Sequence, residues 1–369
     1  MLDLIAAFFV VVGLIAGWLL LRDFRTLPAG EATGVRPSIA AIIPARNEAR
    51  SLPVLLGSLA EQTVEHSVIV VDDESDDDTA HIAASAGAQV LAASGRPSGW
   101  TGKAWACEGG ASASPSEVVV FLDADTRLAP EALAGLVELL EQHGGLVSVQ
   151  PYHRVQRAHE QFSAYFNALS VMASAVFTGR PSNEAMAFGP CLISSRDDYE
   201  RAGRHEGVRS DILDDVALAR NYQRAGLPVT CVAGGDQLSM RSYPDGFGQL
   251  ASGWIKNMAS GAGATHPLAG LAAVLWICAH HIVLVGTIAT LLAPTTWGLL
   301  GWGAAWLLVA AQLRSILARL GSFSWWTWGL FPVPLMVFDL LFARSALDTV
   351  LRRSVRWRGR TVDLREGSP

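Results

Sequence analysis

The sequence predicts an α/β protein in which a mostly parallel sheet lies between hydrophobic segments at the two ends of the chain. Between Pro37 and Gln142, short apolar runs alternate with stretches of helical periodicity, a pattern typical of parallel sheets with helical crossovers. Only 17% of the 369 residues are charged, against about 25% in ordinary soluble domains. The deficit is concentrated in residues 1–21 and in the region from Pro267 to Ala343.

The N-terminal run Leu4–Leu21 is apolar and close to the length that crosses a hydrocarbon core. A cleaved signal peptide is the alternative, but no basic residue precedes the run, whereas Arg22 and Arg25 follow it. Basic residues beside a span favour the cytoplasmic side. We therefore predict that residues 1–25 are a retained transmembrane anchor and that the following domain is cytoplasmic.

Three more apolar stretches lie near the C-terminus, at Leu268–Leu292, Trp297–Leu313 and Trp325–Ala343. The arginine-rich tail at 348–369 should be cytoplasmic, so an even number of crossings separates it from a cytoplasmic catalytic domain. Pro332 and Pro334 lie in the third stretch and interrupt helical hydrogen bonding. For 267–347 we predict a membrane region with two spans and a third segment that is re-entrant or interfacial.

The central part of the chain reads as a βαβαβ unit. The predicted strands are Ser38–Ile43, Ser67–Val71 and Val118–Leu122, and the predicted helices are Ala49–Gln62, Asp78–Ala86 and Pro130–Gln142. Ligands bind beyond the carboxyl ends of the strands in such sheets. Further along, the apolar run Ala158–Phe177 favours a core helix, with an acceptor groove or an interfacial helix as the alternative.

Acidic residues close two of the predicted strands. Asp72 and Asp73 end the second strand, and Asp123 and Asp125 follow the third. Helix capping explains one such junction. Side chains two residues apart on a strand point the same way, however, so Asp123 and Asp125 would repel each other unless a cation lay between them. A divalent cation, Mn²⁺ or Mg²⁺, that bridges carboxylate and diphosphate oxygens meets this need. The pattern therefore implies a nucleotide-diphosphate donor.

A third acidic cluster consists of Asp211, Asp214 and Asp215 and leads into a helical stretch. One interpretation is an acidic first turn that complements the helix dipole. The other is that one carboxylate is a general base, because displacement at a sugar carbon needs a base near the attacking oxygen.

Several functional classes are disfavoured. The first strand is not followed by a GxGxxG or GxxxxGK[ST] motif, which argues against a dinucleotide site or a phosphate loop. The formal net charge of -6 argues against nucleic acid as a partner. The four cysteines are scattered without metal-ligand spacing, so a zinc site or a disulfide framework is not expected.

These motifs together resemble glycosyltransferase family 2, whose members have the Rossmann-like GT-A fold; they are Ile43–Glu48, Val71–Ser75, Asp123–Asp125 and Leu213–Leu218. The resemblance implies a cytoplasmic, inverting GT-A domain at 36–262. It places Asp215 as the catalytic base with Asp214 beside it, and Asp123 and Asp125 at the metal. The implied donor-binding residues are Pro44, Asn47, Glu48, Asp123 and one of Asp72 and Asp73, which would hold the uracil or its equivalent.

A narrower similarity links the chain to the membrane-bound 4,4'-diaponeurosporenoate glycosyltransferases and, less closely, to hopanoid-associated glycosyltransferases. It rests on Gly99–Trp105, Gly189–Cys191, Met240–Pro244 and Gly253–Asn257. The similarity implies a multi-pass cell-membrane enzyme that transfers a sugar, with glucose favoured, from a UDP-sugar to a lipid or terpenoid acceptor. Lys103 would neutralise the donor diphosphate, and Trp254, His205 and Arg241 would lie on the acceptor side. The subgroup's usual Gly-Gly-His is Gly203, Arg204 and His205 here.

Two other functions are alternatives to a lipid glycosyltransferase. A polysaccharide synthase would carry a Gln-x-x-Arg-Trp motif, but Gln249 and Trp254 are misspaced for it and the arginine is missing. A non-catalytic nucleotide-sugar-binding membrane protein is the second alternative. The presence of Asp123, Asp125 and Asp215 argues against it.

Overall fold

The computed structural model describes residues 2–31, 37–179, 184–261, 266–352, 354–357 and 360–363. The chain forms two compact units. The first, here called the sheet unit, comprises Arg25–His153 and Asn183–Arg241. The second, here called the helical unit, comprises Met1–Phe24, Arg154–Ser182 and Ser242–Ser368. The bounds 36–262 of the predicted domain stay a prediction.

The strands are β1 (Ile39–Ala45), β2 (Ser67–Asp72), β3 (Gln89–Ala92), β4 (Val118–Leu122), β5 (Thr126–Leu128), β6 (Leu146–Gln150), β7 (Tyr152–His153), β8 (Cys191–Ser195), β9 (Val229–Ala233), β10 (Leu238–Met240), β11 (Ser354–Trp357) and β12 (Arg360–Asp363).

The helices are α1 (Leu2–Leu20), α2 (Leu52–Ala60), α3 (Thr79–Ser85), α4 (Gly102–Ala113), α5 (Ala132–His143), α6 (Ala164–Ala173), α7 (Arg196–Arg201), α8 (Asp214–Arg224), α9 (Phe247–Gly261), α10 (Pro267–Leu292), α11 (Thr296–Leu320), α12 (Trp325–Gly329) and α13 (Pro332–Arg352). Two 3₁₀ helices cover Ala158–Ser163 and Glu206–Val208.

The sheet unit is built on a seven-stranded sheet with the order β3-β2-β1-β4-β8-β6-β9. The pairs β1-β2, β1-β4, β2-β3 and β6-β9 are parallel, and β8 is antiparallel to both of its neighbours. The mostly parallel α/β sheet predicted from the sequence is therefore confirmed. The reversed strand β8 was not predicted. A smaller sheet, β5-β10-β7, lies in the same unit.

Apolar side chains cover both faces of the large sheet, as expected for parallel strands between helices. β4 is buried along its whole length, and Ile42 and Ile43 of β1 are fully buried. α4 packs closely on this sheet at Gly110, where an added Cβ would come within 2.5 Å of the Ile42 side chain. This close approach fixes the helix whose first turn carries Lys103.

In the helical unit, α1 packs against α10 through small residues. An added Cβ at Gly13 would lie 2.5 Å from the Ala279 Cβ and 2.6 Å from the Leu275 carbonyl oxygen. The Gln312 side chain accepts a hydrogen bond from Trp276 Nε1 (2.9 Å) and donates one to the Leu14 carbonyl (2.6 Å). Gln312 thereby joins α1, α10 and α11.

Two helices in the described residues, α10 and α11, are long and apolar enough to cross a membrane. The apolar part of α1, Leu4–Leu20, is shorter than these two. Length and composition therefore give support to two C-terminal spans and none to an N-terminal one. The predicted core helix within Ala158–Phe177 is present as a 3₁₀ turn followed by α6, and most of its side chains are buried.

The third C-terminal stretch differs from the expectation that prolines interrupt it. It forms the short helix α12 and then the 21-residue helix α13, which begins at Pro332 and carries Pro334 in its first turn. A proline in the first turn removes an N–H that has no intrahelical partner, so it starts a helix rather than breaking one. α13 continues to Arg352 into the predicted tail, where β11 and β12 form an antiparallel pair. Arg353, Arg358 and residues 364–369 of that tail lie outside the described residues.

We expect Gly13→Val to destabilise the full chain in detergent, because its side chain would meet the backbone of α10. Overpacking of this kind costs about 1–3 kcal/mol, which should lower the melting temperature by several degrees. Gly303→Val on α11 is the matched control, since a Cβ there meets nothing within 4 Å. Equal melting temperatures for the two variants would contradict the packing of α1 on α10.

Candidate active site

The predicted donor-site carboxylates gather at one edge of the large sheet. β2, β1 and β4 are neighbouring parallel strands, so their carboxyl ends meet there. In the register, Asp72 at the end of β2 lies opposite Ala45 at the end of β1. Asp123 directly follows β4, and its N–H donates to the Pro190 carbonyl at 2.9 Å, just before β8.

Lys103 forms an ion pair with Asp123 across this edge, with 2.7 Å between Nζ and Oδ1. It lies in the first turn of α4, which begins where the Thr101 hydroxyl accepts from the Ala104 N–H. Desolvation opposes the charge on Lys103, but Asp123 and Asp214 outweigh it and raise the pKa of Lys103 well above its usual value. The ammonium group therefore stays charged between two acidic positions from different elements.

Asp125 lies in the turn between β4 and β5, so the strand alternation assumed from the sequence does not apply to Asp123 and Asp125. The two carboxyl groups are nevertheless close enough to interact. Burial, followed by repulsion from Asp123 and Glu48, raises the pKa of Asp125 to about 7. The repulsion expected from the sequence is therefore present, but a tight turn produces it.

The residues at this edge fit a divalent cation that is shared with a ligand. In the part of the chain that the structure describes, no three His, Cys, Asp or Glu side chains converge closely enough to bind a metal ion by themselves. Asp123 and Asp125 offer hard oxygen ligands of the kind that Mn²⁺ and Mg²⁺ take, and diphosphate oxygens would complete such a site. The desolvated, mutually repelling carboxyl groups are the structural reason to expect a cation here.

Asp214 and Asp215 begin α8, as the third acidic cluster predicted. Asp215 Oδ1 accepts the Val216 N–H at 2.9 Å. On the other side of this carboxyl group, a Cβ at Gly189 would lie 3.0 Å from Oδ2, so glycine leaves room beside that oxygen. Burial and the neighbouring Asp214 raise the pKa of Asp215 to about 6. Asp215 is therefore ionised at neutral pH and basic enough to accept a proton.

The β1–α2 loop is held to the β2–α3 loop by Asn47. Its backbone has a positive φ of 55°, its N–H donates to Ser75 Oγ (2.9 Å), and its Oδ1 accepts the Asp76 N–H (2.8 Å). The next residue, Glu48, donates its N–H to Thr79 Oγ1 at 2.9 Å. Asn47 therefore shapes the edge of the site through its own hydrogen bonds.

The two aspartates at the end of β2 differ in their surroundings. Asp73 forms an ion pair with Arg46 at 3.5 Å and packs against Gly102, where a Cβ would come within 2.2 Å of Asp73 Oδ2. Asp72 accepts the Ser75 N–H with Oδ2, whereas its Oδ1 is buried and has no hydrogen-bond partner among the described residues. A buried acceptor without a partner is uncommon and indicates a missing donor.

His205 is placed differently from the acceptor-side role that the resemblance implied. It is 1% exposed, its Nδ1 lies 2.7 Å from the Tyr199 hydroxyl, and its ring packs against Phe121. Burial, with a smaller effect of Lys103, lowers the pKa of His205 to about 3. His205 is thus a neutral core residue beneath the site, and we do not include it among acceptor-binding residues.

The other two residues that were predicted to lie on the acceptor side, Arg241 and Trp254, belong to different units. The backbone N–H of Arg241 donates to the Asp125 carbonyl at 3.3 Å, so Arg241 borders the acidic edge of the sheet unit. Trp254 belongs to the helical unit, where it is 7% exposed, stacks on Phe166 at 4.8 Å and donates Nε1–H to Ser163 Oγ. Trp254 is therefore a packed aromatic side chain of that unit.

The sequence did not indicate several residues that shape the site. Arg204 pairs with Glu108 of α4 at 2.6 Å, and the Tyr199 hydroxyl lies between Glu108 and His205. Gly189 begins the motif Gly189–Cys191, but the need for space beside Asp215 appears only in three dimensions.

Comparison with known proteins identifies the class. Residues 40–201 match Glycosyl transferase family 2. The chain is 34% identical to the 4,4'-diaponeurosporenoate glycosyltransferase of Staphylococcus haemolyticus (strain JCSC1435) over 366 residues, which cover 96% of each protein. It is 33% identical to the enzyme of the same name from Staphylococcus aureus (strain USA300) over 363 residues, again 96% of each. The chain therefore belongs to glycosyl transferase family 2 and is a glycosyltransferase.

A solved structure supports the fold. The mannosyltransferase of Pyrobaculum calidifontis, determined in complex with GDP-Man and Mn²⁺, superposes with a TM-score of 0.55 at 19% sequence identity. The match covers 95% of this chain and 99% of the other. At this identity the similarity shows the fold alone, and it confirms the GT-A architecture that the sequence motifs implied.

We expect Asp125→Asn to stabilise the metal-free protein at pH 8. The pKa of Asp125 is higher in the folded state (about 7) than its ordinary 3.8, so its contribution to stability is present at low pH and is lost as pH rises through 7. Asparagine removes the repelling charge, so the melting temperature should exceed that of the wild type at pH 8 and approach it at pH 5. Asp197→Asn, an exposed position on α7, is the control and should show no such pH dependence.

If Asp125→Asn and the wild type have the same melting temperature at both pH values, the raised pKa of Asp125 is contradicted.

Proposed function

We propose that this glycosyltransferase moves a sugar, with glucose favoured, from a UDP-sugar to a lipid or terpenoid acceptor with inversion at the sugar carbon. The observation that carries the proposal is the grouping of Asp123, Asp125 and Asp215 with one paired lysine at a single sheet edge. This arrangement offers a cation site, a positive charge for a diphosphate and a base, which are the parts that such a transfer needs.

Asp125 and Asp123 would hold a divalent cation, Mn²⁺ or Mg²⁺, together with the donor diphosphate. When bound, the cation would offset the negative charge that develops on the departing nucleotide diphosphate. Lys103 supports the same role, because its ammonium group remains charged and lies 2.7 Å from Asp123. A lysine is a compact point charge suited to phosphate oxygens.

The nucleotide base would lie beside the end of β2. Of the two aspartates there, Asp72 is the better candidate to accept a hydrogen bond from a uracil N–H, because Asp72 Oδ1 is buried and lacks a partner among the described residues. Asp73 is already paired with Arg46. Pro44, Asn47 and Glu48 would form the neighbouring wall, which the loop-to-loop hydrogen bonds of Asn47 hold in shape.

Asp215 would be the general base. In an inverting transfer, the acceptor oxygen attacks the sugar carbon as the bond to the nucleotide diphosphate breaks, and the base takes the acceptor proton. A pKa of about 6 leaves Asp215 ionised at neutral pH yet able to bind that proton. Asp214 contributes by raising this pKa, and Gly189 leaves space beside the carboxylate.

The acceptor would be an apolar molecule taken from the membrane. The similar staphylococcal proteins are named for diaponeurosporenoate, a terpenoid acid. α10 and α11 would hold this chain in the cell membrane as a multi-pass protein with α1 as an additional anchor, and the sheet unit would face the cytoplasm. Arg241, whose backbone N–H donates to the Asp125 carbonyl, would lie on the acceptor side.

We expect Asp215→Asn to lower sugar transfer to extracted membrane lipids by about a hundredfold or more, the usual contribution of a general base. The change keeps the size of the side chain but removes its ability to accept a proton, so UDP affinity measured calorimetrically with Mn²⁺ should stay within about twofold. If the acceptor is a carboxylic acid, it is already ionised, and the loss of transfer should be much smaller.

The matched control is Asp211→Asn, which makes the same change at an exposed aspartate just before α8 and should transfer at the wild-type rate. The product mass distinguishes a single added sugar from the repeated sugars of a polysaccharide synthase. If wild-type protein neither hydrolyses nor transfers from UDP-glucose with Mn²⁺, a non-catalytic sugar-nucleotide-binding role would replace this proposal. Transfer to a hydroxyl lipid at the wild-type rate by Asp215→Asn would exclude Asp215 as the base.

A further inference from the structure

The helical unit holds a group of polar side chains in the middle of its most apolar long helix. His280 and His281 lie near the centre of α10, between long runs of apolar residues. None of the roles proposed above uses them. Polar and ionisable residues within an apolar helix of this length are costly in a membrane, and they usually mark a binding site or a proton path.

His280 and Tyr165 form the buried part of this group. Both are fully buried, and their ring centroids lie 5.6 Å apart. His280 Nδ1 lies 2.8 Å from the Trp276 carbonyl, which can only accept, so Nδ1 carries the proton and Nε2 of the neutral ring is an acceptor. Neither His280 Nε2 nor the Tyr165 hydroxyl has a hydrogen-bond partner among the described residues. These two unpartnered atoms belong to neighbouring buried rings, and they indicate a polar ligand group.

His281 and Asp339 form the outer part. His281 Nε2 lies 2.9 Å from Asp339 Oδ2, and Nδ1 lies 2.9 Å from the Ile277 carbonyl. Because His281 Nδ1 donates to that carbonyl, the contact between Nε2 and Asp339 Oδ2 needs a second proton. That proton lies on either His281 or Asp339, and in both cases the pair has no net charge. The two side chains are 40% and 43% exposed, so they reach the surface of the helical unit.

The outer and buried parts are close to each other. His280 and His281 are consecutive residues, and Asp339 follows Phe338, whose ring centroid lies 6.3 Å from that of Tyr165. Burial first, and then the Asp339 carboxylate, raises the pKa of Tyr165 well above its usual value. The outer and buried parts therefore belong to one region of the helical unit.

We propose that Tyr165, His280 and the His281–Asp339 pair bind the hydroxyl end of an apolar lipid. A hydroxyl group can donate to His280 Nε2 while it accepts from Tyr165, so it satisfies both buried atoms at once. A carboxylate can only accept, so it cannot satisfy His280 Nε2, which is itself an acceptor. The ring centroids of Trp276 and Phe331 lie 4.4 and 5.6 Å from that of His280, and these apolar rings suit an apolar chain.

This lipid site does not depend on the proposed function, because all of its residues belong to the helical unit.

The test uses the full chain in detergent with all-trans-retinol and all-trans-retinoic acid at pH 8. These probes share one polyene and differ in ending as a hydroxyl or a carboxylate. Quenching of tryptophan fluorescence reports binding, since Trp276 packs on His280. We expect retinol to bind at least about fivefold more tightly than retinoic acid, the size of one buried hydrogen bond. Tyr165→Phe, which removes only the hydroxyl, should weaken retinol binding by a similar factor.

Tyr222→Phe is the matched control, because it makes the same change at a fully buried tyrosine of the sheet unit and should leave retinol binding unaltered. Equal wild-type affinity for both probes would overturn the inference, and so would a Tyr165→Phe protein that binds retinol normally. The comparison of retinol and retinoic acid affinities in wild-type protein tests the lipid site even if the Tyr165→Phe protein does not fold. UDP binding with Mn²⁺ is measured on the same samples. If wild-type protein binds UDP but does not prefer retinol, the lipid site alone is overturned. If wild-type protein does not bind UDP, the proposed function is overturned.

Discussion

Repulsion between carboxyl groups at the carboxyl edge of the sheet is the constraint on which the site depends. Asp123, Asp125 and Asp215 come from the end of β4, the following turn and the start of α8, and burial together with neighbouring acidic groups raises the pKa of both Asp125 and Asp215. Lys103 compensates for part of this charge at 2.7 Å from Asp123. The folded protein therefore keeps acidic groups that are electrostatically unfavourable without a bound cation, as is common where binding and catalysis require them.

The surrounding fold holds these groups in place through close backbone contacts. Gly110 lets α4 approach β1, which fixes the turn that carries Lys103, and Gly189 leaves space beside Asp215. Tyr199 and His205 fill the core below α4 with a hydrogen-bonded pair of rings. The rigid sheet and these packed helices thus position side chains from distant parts of the sequence, so the site does not rely on one continuous motif.

Local patterns sufficed to predict the parallel sheet, the acidic edge and the family, because strand periodicity and short motifs are properties of neighbouring residues. β4 was predicted with its exact bounds, Val118–Leu122. What the sequence could not reveal depends on tertiary contacts. A histidine such as His205 looks the same in a core or in a site, and Pro332 looks like a helix breaker until the start of α13 is seen. The sequence likewise suggested that Asp125 continues a strand, whereas it lies in the tight turn between β4 and β5.

The central claim is that Asp125 would hold a divalent cation together with the donor diphosphate. Electron–nuclear double resonance of Mn²⁺ bound to the full chain tests it directly, because a ³¹P hyperfine coupling appears only when phosphate oxygens coordinate the ion. With UDP present and free Mn²⁺–UDP removed by gel filtration, we predict a ³¹P coupling in the wild type and its loss in Asp125→Asn. A Mn²⁺ spectrum that UDP does not change, or a coupling that persists in the variant, would contradict the account.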